Sequence, residues 1–193
     1  MNKRTLLNQL SEQTEAHLQK AIEQWQMLPH SSFARMPDAA AWSANQCLQH
    51  LNSYGLYYLP KLEKALQQAP SQPADAEFAP GWMGAWFTRM MQIDPATQQP
   101  SKKMKAPKPH TPVQILPSHE VIAAFIDQQE RLLQLLQKAA HLDLAAVRIP
   151  ISIASFIRLK AGDVLSFLVA HNERHVQQAL RALQAQTTTT LVS

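Results

Sequence analysis

The sequence predicts an all-α fold: a four-helix bundle with a long crossover connection between its second and third helices. Three observations lead there. Gly is scarce, at 4 of 193 residues, while Leu, Gln and Ala are abundant, a balance that favours helices. The 13 prolines concentrate between Pro60 and Pro117, and residues 1–28, 43–59, 118–149 and 151–193 hold none. Proline lacks a backbone donor and clashes inside a helix, so the proline-free stretches are where long helices can lie. In each of them apolar residues recur at steps of three and four.

The first helix carries the stripe Leu7, Leu10, Thr14, Leu18, Ala21, Trp25 and Leu28, and Pro29 ends it. The second has a marked start. Ser43 is placed to cap it, with Gln46 three residues on as the return partner of a capping box, and Trp42 and Cys47 flank the cap as a hydrophobic staple. This helix is expected to reach about residue 68, with a kink near Pro60. The third begins near Ser118 and buries Ile122, Phe125, Gln129, Leu132 and Leu136, with Ile126 and Leu133 alongside. The fourth is expected to start at Asp163 as N-cap and to run to about Leu183. About 50 residues rich in Pro, Gln and Lys join the second and third helices, long enough to cross the bundle. A short helix over Trp82–Met91 interrupts them, since Trp82, Trp86 and Met90 fall on one face. Residues 94–117 read as an extended loop and Ile149–Leu159 as an extended connector. The expected organisation is one domain over residues 1–186 and a flexible tail over 187–193. No internal repeat is visible.

Composition excludes several classes. The chain is 46% hydrophobic and 17% charged, which suits a globular rather than a disordered protein. Cys47 is the sole cysteine, so no intrachain disulfide forms and a reducing compartment is expected. The start Met1-Asn2-Lys3-Arg4 is basic, but Asn8, Gln9 and Ser11 break the apolar stretch after it, unlike a signal peptide. No run approaches the roughly 18 apolar residues of a membrane span. A cytoplasmic protein without membrane contact is the expectation. The net charge of +4 is mild and comes partly from Lys102, Lys103, Lys105 and Lys108. With no groove-reading motif beside them, these lysines read as a solvated loop, and nucleic acid is not an expected partner.

The functional signal lies in the histidines. Of eight, His17, His30, His110, His119 and His141 sit beside helix stripes or at proline-rich boundaries, where surface or half-buried roles suffice. His171 and His175 differ. They are four residues apart, so both imidazoles project from one helix face about a turn apart, as two ligands of one metal ion must. They also interrupt the buried stripe Val164, Leu168, His171, His175 and Ala179. Buried imidazoles cost stability unless their nitrogens find partners. A metal supplies partners, and so would neighbouring side chains. Chance alone gives ~0.3 such pairs in a chain with this many histidines, so the pair is weak by itself. His50, on the stripe Cys47, His50, Tyr54 and Tyr57 of the second helix, adds a third inward imidazole. Three protein ligands leave a fourth tetrahedral position open, the arrangement of catalytic rather than structural metal sites.

Two segments carry a resemblance. Trp42-Ser43-Ala44-Asn45-Gln46-Cys47-Leu48-Gln49-His50-Leu51 resembles the Trp-Ser-x-x-x-x-Leu-x-His-Leu opening of the second helix in the DinB-like (YfiT-like) metalloprotein superfamily. His171-Asn172-Glu173-Arg174-His175-Val176-Gln177-Gln178 resembles that family's closing His-x-x-Arg-His-x-x-Gln. Lys105-Ala106-Pro107-Lys108 resembles a loop often found before its third helix. The resemblance spans about residues 40–183. It implies a four-helix bundle, frequent homodimerisation, and a divalent ion, zinc or nickel, on the positions of His50, His171 and His175. It also implies a small-molecule substrate and, in some members, S-transfer from a low-molecular-weight thiol activated on the metal. Family membership supports the fold more firmly than the reaction.

Around the three histidines, Gln178 lies one turn beyond His175 and is placed to orient an imidazole. Arg174 and Glu173 read as flank residues. Tyr54 and Tyr57 suit either core packing or the lining of a pocket. Trp82, Trp86, Phe87, Met90 and Met91 suit either a lid or the packing of a short helix. Cys47 reads as a small buried residue. Two functions remain open: a metal-dependent enzyme using an activated thiol or water, and a non-catalytic bundle with structural or metal-binding histidines.

Overall fold

A computed structural model describes residues 1–94, 96–97, 99–100 and 104–190, with the backbone alone for 186–190. Its elements are α1 (Lys3–Lys20), α2 (His30–Phe33), α3 (Ala44–Gln67), α4 (Trp82–Met91), α5 (Ser118–Ala139), β1 (Arg148–Ile151), β2 (Ala154–Lys160) and α6 (Ala161–Thr190). The long helices α1, α3, α5 and α6 form the bundle. Among the described residues no helix is long and apolar enough to cross a membrane.

The helical stripes sit where their periods require. Leu7, Leu10, Thr14, Ala21 and Trp25 are buried, α1 being prolonged by a π turn over Ala21–Trp25 in which Gln26 N donates to the Ala21 carbonyl. All five stripe residues of α5 are buried, with Ile126 and Leu133 half-buried. The capping box of α3 is formed: Gln46 N donates to Ser43 Oγ at 3.2 Å, and Ser43 N to Gln46 Oε1 at 3.0 Å. Pro60 lies within α3, which continues through it to Gln67.

Hydrogen bonds between helices reveal the crossover. Asn45 donates to Ser118 Oγ, Asn52 to the Val121 carbonyl, and Arg131 pairs with Glu63. Residue numbers rise together, so α3 and α5 are parallel neighbours. Parallel helices cannot be joined by a short turn, so the 50-residue connection is a geometric necessity. By contrast, Tyr58 meets Phe167 and His50 meets His171, so α3 and α6 run antiparallel.

Three expectations are corrected. The stretch 149–159 is not a bare connector: β1 and β2 pair antiparallel, Ile149 with Leu159 and Pro150 with Arg158. The hairpin is held to α3 by two tyrosines, as Tyr57 OH donates to the Ile151 carbonyl at 3.3 Å and Ser152 N donates to Tyr58 OH at 3.0 Å. Second, Asp163 does not cap α6, which begins two residues earlier at Ala161. Its carboxylate instead accepts Gly81 N on both oxygens at 3.1 Å. Gly81 is the N-cap of α4, so Asp163 anchors that helix, where an anion complements the exposed N–H groups. Third, the extended loop contains a short 3-10 turn over Lys108–His110. Lys102 and Lys103 of the lysine cluster lie outside the described residues, as do residues 191–193 of the expected tail. The helical backbone of α6 runs through Thr190.

Candidate metal centre

The antiparallel packing of α3 on α6 brings His50 into contact with His171 and His175. One ligand nitrogen from each lies within 4.8 Å of the other two, and all three residues are buried. His50 Nε2 is 3.1 Å from His171 Nε2. Two metal–nitrogen bonds of about 2.0–2.1 Å at a tetrahedral angle separate their nitrogens by about 3.3 Å, so little movement is needed to close on an ion.

The neighbours of these rings decide which nitrogen faces the centre. His50 Nδ1 donates to the His110 carbonyl at 2.7 Å. A carbonyl only accepts, so the proton belongs to Nδ1 and Nε2 carries the lone pair. His175 Nδ1 donates to Gln178 Oε1 at 2.9 Å, and its Nε2 is the ligand nitrogen by the same logic. His171 Nδ1 is buried and has no hydrogen-bond partner among the described residues. Aromatic faces fix the rings. Trp42 lies against His50 and His175, Tyr54 against His50 and His171, and Phe167 stacks on His171 at 5.4 Å and 10°.

Burial keeps the imidazoles neutral, the form a metal requires. It pushes His50 down to about 4, against a smaller upward pull from its bond to the His110 carbonyl. Burial also drives His171 and His175 well below the ordinary value, helped in both by the nearby His50 and Arg174 and in His171 by His175 as well. A stability prediction follows for metal-free protein. The folded pKa values lie below the unfolded one, near 6.5, so the unfolded chain binds more protons as pH falls from about 6.5 toward 4. Stability is full above that window and is lost through it. Melting chelator-treated protein at pH 7.5 and pH 5 should give a clearly lower midpoint at pH 5; equal midpoints would contradict the buried, neutral cluster.

The centre opens on a cavity of about 980 Å³. Tyr54, Tyr58 and Phe167 line it beside the histidines, Trp86, Phe87, Met90 and Met91 of α4 form another wall, and Ile151–Ile153 of the hairpin tip a third. Among the described residues no Cys, Asp or Glu completes the histidine cluster. Cys47 is buried away from it, its thiol pushed up by burial. The donor set therefore fits one divalent ion, and all three of its residues line the cavity.

The residues singled out in the sequence separate clearly in space. His50, His171, His175 and Gln178 converge, and Tyr54 joins them. Tyr57 turns to the hairpin, and Trp82 is 81% exposed and off the cavity. Glu173 faces α1, where its carboxylate meets His17 Nε2 at 2.7 Å. His17 and His110 are buried, contrary to the surface or half-buried role expected of them. His110 is the larger omission, because its carbonyl orients His50 and its ring lies 3.9 Å from that of Tyr54. A backbone carbonyl has no residue signature, so only its setting among Pro107, Pro109 and Pro112 hints at a fixed loop. Phe167, one turn before His171, is accessible from helical spacing.

The model of the DinB superfamily matches residues 11–179. The chain belongs to the DinB superfamily. A solved structure shares the fold of this DinB-superfamily chain: YfiT from Bacillus subtilis, described as a probable metal-dependent hydrolase with an unusual four-helix bundle topology. The identity is 16% and the TM-score 0.53, over 96% of this chain and 87% of that one. No curated protein matches in sequence.

Gln178 supplies a prediction. Its replacement by Ala leaves His175 Nδ1 without its acceptor and frees the ring to turn. Metal affinity should fall about 10–100-fold, measured by competition with a chromogenic chelator; unchanged affinity would show the bond to be incidental.

Proposed function

We propose that this chain is a divalent-metal-dependent enzyme, of the thiol S-transferase or hydrolase type, acting on a small molecule held in the cavity above His50, His171 and His175. The observation that carries this reading is the convergence of three imidazoles on the floor of an open cavity rather than inside a filled core. Zinc or nickel suits an all-imidazole donor set. Such an ion would lower the pKa of a water or thiol bound at the open position and so provide a nucleophile near neutral pH.

The protein's own groups prepare the site. The His110 carbonyl and Gln178 hold two rings with Nε2 inward. Trp42, Tyr54 and Phe167 pack against the rings and restrict their rotation. Burial raises the Tyr54 hydroxyl far above neutrality, so it stays protonated and able to donate to negative charge developing on a substrate. The description of YfiT as a probable metal-dependent hydrolase supports the same class.

A second reading is favoured by one contact. The 3.1 Å approach of His50 and His171 also suits a metal-free bundle in which one imidazole donates to the other. Elemental analysis of untagged protein separates the two, with His50→Ala and His171→Ala beside wild type. Near-stoichiometric metal in wild type and trace amounts in both variants is the expected result. Equal trace metal in all three would leave the non-catalytic reading.

A further inference from the structure

The charge of the cavity wall specifies its ligand further. Three cationic side chains line it, Lys105, Arg174 and Arg181, and no Asp or Glu does among the described residues. The residues outside the described set carry no Asp or Glu side chain. An ion on the neutral imidazoles would add two more positive charges to this space.

The arrangement is built into α6. At 100° per residue, Phe167, His171, Arg174, His175, Gln178 and Arg181 occupy about one third of the helix circumference, and all six line the cavity. Along the axis this face begins at Phe167, carries Arg174 between the two imidazoles and ends at Arg181. Arg174 is 7% exposed. Its guanidinium donates to the Met90 carbonyl at 3.2 Å, which positions it between α6 and α4. Arg181 lies about 15 Å from His171 along the axis. Its field reaches Cys47, one turn before His50 on the antiparallel α3. The opposite end is aromatic, with Phe87 and Tyr58 packed against Phe167. Low-dielectric walls strengthen the attraction of such cations for an incoming anion.

We infer that the cavity takes an amphipathic organic anion, with a carboxylate or similar group at Arg174, within the field of Arg181, and an apolar body along Phe167, Tyr58 and Phe87. This deepens the proposed function and rests on it only for where the reaction occurs; the arginines attract an anion whether or not an ion is bound.

The test uses 2-naphthoate and its neutral counterpart 2-naphthamide, titrated calorimetrically into the full-length protein, metal-stripped and zinc-loaded. Metal-stripped wild type should bind the acid about tenfold more tightly than the amide, with the preference shrinking at high salt. Arg174→Gln combined with Arg181→Gln should reduce it to within about twofold while amide binding persists, and the corresponding double Lys variant should retain most of it. If circular dichroism shows the double Gln variant unfolded, Arg181→Gln alone, at a half-buried position, should cut the preference about threefold. Equal binding of acid and amide, or a preference indifferent to these substitutions, would overturn the inference. A preference present only with zinc would do the same, since the ion would then be the anion's partner. Trace metal in purified wild type together with an intact acid preference would remove the enzyme reading and leave the anion site standing.

Discussion

Replacing His171 by Leu is expected to abolish metal binding and, in the same protein, to raise the stability of the metal-free fold by about 1–2 kcal/mol. The opposed signs follow from the site. His171 is 3% exposed. Its Nδ1 has no hydrogen-bond partner among the described residues, and its Nε2 faces His50 Nε2. With the His50 proton held on Nδ1 by the His110 carbonyl, two lone pairs face one another unless His171 carries its proton on Nε2. That tautomer turns a bare acceptor toward the buried Nδ1 side. Either arrangement leaves a polar atom desolvated, which costs about 1–3 kcal/mol. Leu removes both nitrogens, keeps the contact with Phe167 and Tyr54, and suits the stripe that Val164, Leu168 and Ala179 already form. Thermal melts in chelator and elemental analysis would read both effects. If metal-free Leu variant melted below metal-free wild type, His171 would be a satisfied core histidine and the metal reading would lose its physical basis.

The same physics explains what can be read from the chain alone. Helix stripes are legible because a burial period of 3.6 is written directly into residue order, and the Ser43–Gln46 box because both partners lie within one turn. His171 and His175 are legible as a pair for the same local reason. His50 joins them only because its helix stripe marks it as inward-facing. Features that depend on distant partners are not legible. Asp163 resembles a cap because it follows Gly162, yet its partner is Gly81, 82 residues away. The hairpin is obscured because Pro150 interrupts any strand pattern, while the tyrosines that secure it sit on α3. His110 contributes mainly through its backbone, where side-chain identity carries no information. The cationic wall is hidden because Arg174 reads as a flank residue until its guanidinium meets the Met90 carbonyl of α4, and Arg181 carries no local signature.

The anchoring of α4 yields the second large effect. Gly84→Ala is expected to cost about 3 kcal/mol and to weaken ligand binding while leaving metal content unchanged. A Cβ at Gly84 would lie 2.2 Å from Asp163 Cγ and 2.4 Å from Asp163 Cβ. The latter is fixed by the α6 backbone and cannot swing aside, so one helix must shift, and overpacking of this kind costs about 1–3 kcal/mol or more. Asp163 is 3% exposed and holds Gly81 at the N-terminus of α4, so displacement would also strip a buried carboxylate of its donors. Alanine ordinarily strengthens a helix relative to glycine by about 1 kcal/mol; a loss here therefore isolates the steric term. Because α4 carries Trp86, Phe87 and Met90 along the cavity while the three histidines sit on α3 and α6, its displacement should raise the dissociation constant of an aromatic probe without releasing the ion. Pairing Gly84→Ala with Asp163→Gly removes the colliding carbons and should restore part of the stability. Equal melting temperatures for wild type and Gly84→Ala would mean that α4 does not dock through this contact, and the wall it gives the cavity would need another anchor.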